Sequence, residues 1–178
     1  HSSLANIYVY QAQNQVVLNE STQTNKSGEI GGQFDIFYDI KKGTALGGKY
    51  GTKIALNIAS WYNLNASYSY YDSNGNYKPN YNAKFLGSKE KYFSDYNIEI
   101  SKKFSSKVKS NLSVINQYYN DQMIRGIYQK SEIKSTILFS ETTLFFPKSK
   151  SVTIAAEHMW VNADRKNWIG GTMEYNHN

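Results

Sequence analysis

Residues 92–119 read YFSDYNIEISKKFSSKVKSNLSVINQYY, and the alternation in this stretch decides the fold. Tyr96, Ile98 and Ile100 fall on one side of an extended chain, and Asp95, Asn97, Glu99 and Ser101 fall on the other. The turn Ser105-Ser106-Lys107 follows. Val108, Leu112 and Val114 then share one side, opposite Lys109, Asn111, Ser113 and Gln117. Successive side chains of a strand point to opposite faces, so this is a hairpin with one apolar wall and one wet wall. Each arm is about a dozen residues long, against about five or six for a common soluble strand. A tilted strand crossing a bilayer needs about nine to eleven.

The same unit recurs outward from the hairpin. Phe34, Ile36, Tyr38 and Ile40 alternate with Asp35, Phe37 and Asp39, and Ile54, Leu56 and Ile58 with Lys53, Ala55 and Asn57. Ala66, Tyr68 and Tyr70 stand against Asn65, Ser67 and Ser69. Downstream, residues 133–146 are strand-like with mixed faces, because Glu141 shares the parity of Ile133, Ile137 and Phe139; a bulge or the end of an apolar band would each account for it. Val152, Ile154, Ala156 and Trp160 face away from Thr153 and Glu157, and 168–175 is the last strand. Strand-like runs also occupy 4–10 and 16–19, and 20–33 reads as a loop. The count is about eight to ten strands, within the range of membrane barrels.

Connections alternate in length. Short turns are expected at 61–63, 105–107 and 147–150, and longer loops at 42–51, 72–91, 120–131 and 162–167. Tight turns at one end and long loops at the other characterise outer-membrane barrels. Aromatic residues gather where apolar bands should stop. Trp61, Tyr62, Phe104, Phe145 and Phe146 lie near the short turns. Tyr70, Tyr71, Tyr92, Phe93, Tyr118, Tyr119, Trp160 and Trp168 lie near the long loops. Rings with a polar tip favour the headgroup level, so two girdles are expected.

Composition agrees without deciding. Of 178 residues, 40% are hydrophobic, and the mean hydropathy is -0.61. No apolar run approaches the 18 or so residues of a membrane helix, which excludes helical spans alone; in a barrel, lipid-facing and lumen-facing residues cancel in any average. There are 16 Tyr and 8 Phe against 2 Pro, as suits an all-β chain. With no Cys, disulfide scaffolds, thiol catalysis and thiolate metal sites are excluded. Lys and Arg exceed Asp and Glu by six, but the lysines are scattered and form no basic stripe, so nucleic acid is not expected as a partner.

Several separate stretches resemble an outer-membrane barrel family of Bacteroidota catalogued as a domain of unknown function. They are Gly43-Thr44-Ala45-Leu46-Gly47-Gly48-Lys49-Tyr50-Gly51-Thr52-Lys53, Ser113-Val114-Ile115-Asn116-Gln117-Tyr118-Tyr119-Asn120 and Ile133-Lys134-Ser135-Thr136-Ile137. Glu157-His158-Met159-Trp160 and Asp164-Arg165-Lys166-Asn167-Trp168 complete the set, in order, across most of 31–176. The resemblance implies a β-barrel in the cell outer membrane and supplies no catalytic residues. It also implies longer relatives with more strands, so 1–178 is expected to be a single barrel domain that is incomplete or lacks some loops.

No catalytic, cofactor or metal site is legible. Gly43, four residues, then Gly48-Lys49 has P-loop spacing, but Tyr50 stands where Ser or Thr must hold Mg²⁺, and a strand follows instead of a helix. His1, His158 and His177 have no ligand spacing, so His158 is read as a structural or interfacial imidazole. Asp35, Asp39, Asp95 and Glu99 could pair as acid and base; lining a hydrated lumen with Lys53 and Lys109 is the preferred reading.

The expectation is therefore an all-β, antiparallel up-and-down transmembrane barrel or a large fragment of one. It would act without enzymatic activity or cofactor, as a porin-like channel or as an accessory barrel subunit. Its partners would be outer-membrane lipid, lipopolysaccharide and other protein subunits. The alternatives are a soluble all-β module with a sugar- or protein-binding face and, further off, a barrel enzyme.

Overall fold

The computed structural model describes residues 28–125, 132–163 and 166–177. The strand-like runs at 4–10 and 16–19, and most of the 20–33 loop, lie outside the described residues. Among the described residues seven strands form one antiparallel sheet in sequence order. They are β1 (Glu29–Ile40), β2 (Thr52–Tyr71), β3 (Tyr77–Lys103), β4 (Val108–Asn120), β5 (Glu132–Phe146), β6 (Lys150–Val161) and β7 (Asn167–His177). A single-turn helix, α1 (Asp121–Arg125), follows β4. Each strand pairs with the next, which is the up-and-down order expected of consecutive hairpins. Among the described residues the sheet is not closed into a barrel: β1 and β7 are its two edges and do not pair with each other.

The hairpin at 92–119 folds as its alternation dictates. Ile98 pairs with Val114 and Ile100 with Leu112 on one face, while Asn97 pairs with Ile115 and Glu99 with Ser113 on the other. Phe104 and Ser105 close the turn through N–H bonds to the Val108 carbonyl, at 3.0 and 3.3 Å. The turn at 147–149 holds Lys148 and Ser149 at φ 59° and 55°, matching the twist that a tight hairpin needs.

Three expectations are corrected. No turn exists at 61–63: Trp61 to Asn63 run through the interior of the 20-residue β2, so two expected strands are one. The expected loop at 72–91 is mostly strand, with a turn only at 72–76 around Gly75 (φ 78°). Asn74-Gly75 is a sequence suited to that turn, and the strand after it was hidden by irregular register. From Trp61 to Ala66 β2 advances five residues, while β3 retreats ten, from Phe93 to Ala83. The extra β3 residues bulge out and destroy any period of two. Third, β1 starts at Glu29, inside the expected loop.

These corrections move the ends. One end of the sheet carries connections 41–51, 104–107 and 147–149, and the other carries 72–76, 121–131 and 162–166. The two tight turns share an end, but the long 41–51 loop is there with them. Among the described residues, β2 beyond Asn63 and β3 before Phe93 have each other as ladder partners, because β1 ends its pairing at Asn63 and β4 at Phe93. They form a two-stranded arm that projects past the sheet by eight β2 residues, about 25 Å at strand rise.

Candidate bilayer-facing surface and polar inner face

Register carries single residues into rows that cross the whole sheet. One row is Ile36, Leu56, Ile98, Val114, Leu138, His158 and Ile169. The rows beside it on that face are Phe34, Ile58, Tyr96, Asn116, Thr136, Trp160 and Tyr38, Ile54, Ile100, Leu112, Ser140, Ala156. These side chains are open to the surroundings: Ile98 is 43% and Val114 38% exposed, and Phe34, Tyr38, Leu138, Ile154, Trp160 and Ile169 are exposed too.

The opposite face is covered over β4 to β6 and carries polar groups there, while at Asp35, Phe37, Asp39, Lys53, Glu99 and Lys109 it stays exposed. Gln117 is 2% and Ser113 5% exposed; Ser135 and Glu157 are buried. Asp95 accepts from the Gln117 amide (2.9 Å), Asn97 from the Ser113 hydroxyl (2.8 Å) and Glu141 from the Asn111 amide (2.9 Å). Asp35 accepts from Asn57 across β1 and β2, and from Gln33 at 3.2 Å. Each bond bridges inward side chains, so the wet wall is a hydrogen-bonded layer rather than a loose set of charges. Soluble sheets bury the apolar face and solvate the polar one. Over β4 and β5 the order is reversed, with Val114 and Leu138 open and Ser113, Gln117 and Ser135 covered.

The structure places the lumen candidates Asp35, Asp39, Asp95, Glu99, Lys53 and Lys109 on this inner face, spread over β1 to β4. Asp39 stands across from Lys53, and Glu99 across from Ser113. No two of these carboxylates are held against each other by a shared hydrogen bond among the described residues.

The inner face is not uniformly polar. Tyr92, Ile115, Tyr119, Ile133, Ile137, Met159, Val161 and Ala163 form a buried cluster, with Phe93, Met123 and Trp168 packed on it. This explains the mixed parity of β5. Ile133, Ile137, Phe139 and Glu141 all point inward on a continuous ladder, without a bulge, and Leu138, Ser140 and Leu144 point outward. Ile133 and Ile137 are apolar because they are buried in the cluster, Phe139 is buried next along the strand, and Glu141 lies past the cluster, where the inner apolar band ends.

The girdle expectation is corrected accordingly. Trp61 lies at the level of Phe93 and Tyr119, at the opposite end from Phe104 and Phe146. Tyr92, Tyr119 and Trp168 belong to the inner cluster and not to an outer belt. On the outer face, Phe34, Tyr96 and Trp160 share one level, and Phe146 and Tyr175 lie toward the other end. From Thr136, at the Trp160 level, to Phe146 is ten residues of β5, about 34 Å along the strand. At a usual barrel tilt of about 40° that spans about 26 Å, close to the apolar band of a membrane barrel.

The Gly43–Tyr50 stretch is a folded-back loop. Gly43 donates to the Gly48 carbonyl (2.7 Å), Gly48 to the Thr44 carbonyl (2.8 Å) and Gly47 to the Thr44 hydroxyl (3.0 Å). Those amides are turned on the loop itself, and β2 follows, so no phosphate cradle forms there. His158 stacks on Trp160 with ring centroids 4.2 Å apart on the outer face, and no set of three potential metal ligands occurs among the described residues. His1 lies outside the described residues.

At the arm tip, Asp72 Oδ1 accepts from the backbone N–H groups of Asn74 (2.9 Å) and Asn76 (3.0 Å). The Asn76 bond first and the Asn74 bond second hold its carboxyl below the usual carboxylate range. Outward along the arm, Tyr70, Tyr71, Tyr77, Tyr81 and Leu86 are exposed, and Phe85 is 93% exposed. The β2 half of this arm was legible as the alternation at 65–70, but its β3 half reads as a loop; the Asn74-Gly75 turn between two Tyr-rich runs was the available signal for joining them.

Residues 1–178 match the model of a family of unknown function, DUF6029, and the chain belongs to that family. Neither a curated protein nor a solved structure matches it.

Proposed function

We propose that this DUF6029 member is a β-barrel protein of the outer membrane in a Bacteroidota-type envelope, acting there as an accessory barrel subunit of an envelope complex. The inverted burial carries this reading: Ile98 and Val114 lie open, while Ser113 and Gln117 behind them are covered. Contiguous apolar rows of this extent suit contact with lipid tails and lipopolysaccharide and are costly in water. Within a bilayer the edges that β1 and β7 form among the described residues require partner strands, from elsewhere in the chain or from another chain, because each unpaired backbone group costs several kcal/mol in hydrocarbon.

Two observations favour the accessory role. The inner apolar cluster takes up space that an open pore would leave to water, and the projecting arm offers exposed Tyr and Phe rings to another protein. The hydrogen-bonded polar layer from Asp35 to Glu141 supports a second reading, a porin-like channel with a hydrated lumen. Planar-bilayer conductance separates the two. We assign no enzymatic role and no nucleic-acid partner.

Membrane seating is tested by fractionation, by heat-modifiable gel migration and by spin labels at Ile98 and Glu99. The chain has no native Cys, so single-Cys labelling is clean. The label at 98 is expected to be relaxed by oxygen and the label at 99 by a polar reagent; equal hydration at both sites would overturn the reading.

A further inference from the structure

A basin of about 470 Å³ opens on the inner face at the end carrying the 41–51 loop. Lys41, Lys42, Lys53, Lys103 and Lys109 line it, and Asp39 is the lone carboxylate among its lining residues. Scattered in sequence, these lysines are gathered by the ladder. Lys103 pairs directly with Lys109, and Lys53 pairs with Ser101, two residues from Lys103 on the same face.

Like charges directly opposite on a sheet destabilise it. Among the described residues, none of the five ammonium groups has a carboxylate in ion-pair range. The Lys103 ammonium is held instead near two rings, 5.3 Å from the Tyr50 centroid and 6.0 Å from that of Phe145. The sheet thus keeps a like-charge pair with no carboxylate partner among the described residues, and it does so in a concavity rather than on a convex surface.

We propose that this basin binds a polyvalent oxyanion of the phosphate type. Its volume falls in the range of small-molecule sites, far short of the extended stripe that a nucleic acid needs. Ammonium groups arriving from four chain segments suit a compact, multiply charged ligand, because Lys acts as a point charge without the planar fork of Arg. The ligand is a free phosphorylated solute or a phosphate-bearing lipid headgroup; both present the same chemistry. The site does not rest on the membrane reading, and its failure would leave that reading standing.

The test is titration of pyrophosphate into the full chain in uncharged detergent, followed calorimetrically. Saturable binding at one site is expected, weakening steeply between about 50 and 300 mM NaCl as screening grows. A triple variant, Lys53→Gln, Lys103→Gln and Lys109→Gln, should bind at least about tenfold more weakly, since it removes three of the five ammonium groups that line the basin. Lys84→Gln, in the arm, should not change affinity. Asp39→Asn removes the opposing charge and should tighten binding several-fold, which decides the matter should the triple variant not fold. Non-saturable binding, native affinity in a folded triple variant, or, where that variant does not fold, native affinity in Asp39→Asn would overturn the proposal. Phosphatidylcholine nanodiscs with and without phosphatidic acid identify the source: loss of pyrophosphate binding in the acidic discs marks a headgroup site, and unchanged binding marks a solute site.

Discussion

Asp95 and Gln117 face each other across the β3–β4 ladder and share a 2.9 Å amide-to-carboxylate hydrogen bond on the covered side of the sheet. Four residues from Gln117 on the same face, Ser113 donates to Asn97, so the bond belongs to a row of inward polar pairs. A buried bond to a charged acceptor is worth more than a neutral one, and removing one partner costs about 1–3 kcal/mol. Asp95→Ala and Gln117→Ala should each destabilise the protein by that order. A double-mutant cycle by denaturant unfolding in detergent should give a coupling of about 0.5–3 kcal/mol. Strict additivity would mean that the pair does not interact.

Val114 lies in the central outer row between Ile98 and Leu138. Val114→Arg should cost about 2–4 kcal/mol of stability in a bilayer, the cost of a lipid-facing charge near the midplane of a barrel. Glu99→Arg, on the inner face, should stay within about 0.5 kcal/mol. Were the outer face in water, an exposed Val114→Arg would be nearly neutral, so unfolding from lipid vesicles separates the two situations.

Gly31 pairs with Trp61, and a Cβ there would meet the Ser60 carbonyl oxygen and the Trp61 ring. Gly32, beside it, has open space. Gly31→Ala should therefore lose about 1–3 kcal/mol through forced displacement of the β2 backbone, whereas Gly32→Ala should change stability by about 0.5 kcal/mol or less. Equal unfolding midpoints for the two variants would show that β1 does not pack on β2 at this register.

Asp72 organises the arm tip through its bonds to Asn74 and Asn76. Its folded-state pKa is depressed, so its contribution is fully present above the unfolded carboxyl range, near about 3.9, and is lost as pH falls through the lower folded value. Amide exchange at Asn74 and Asn76 should be slow at pH 5 to 7 and should accelerate below pH 4 beyond the intrinsic pH trend. Asp72→Ala should show the fast behaviour at every pH. A pH-independent protection pattern in the native chain would dissociate the carboxylate from the turn.

Much of the sheet was legible in the strands themselves. Period-two alternation at 34–40, 54–58 and 92–119 located β1, the first half of β2 and the β3–β4 hairpin, because a regular ladder forces every second side chain to one face. The same logic failed at 61–91. The five additional β3 residues between Phe93 and Ala83 have no counterpart on β2, so pleat and sequence fall out of step and a continuous arm reads as a turn and a loop. Ile133, Ile137 and Phe139 misled in another way: apolar parity marks a face that avoids water, and both lipid contact and a packed interior satisfy it.

The order of polar and apolar residues was enough to determine an all-β, antiparallel, sequentially paired chain, since local extension and short connections leave little other choice. Which wall lies open was settled by the sheet, where Leu112 and Val114 look outward while Gln117 is enclosed. The meeting of Lys53, Lys103 and Lys109 in one basin likewise depended on register, because cross-strand neighbours far apart in sequence become adjacent only once every ladder is in place.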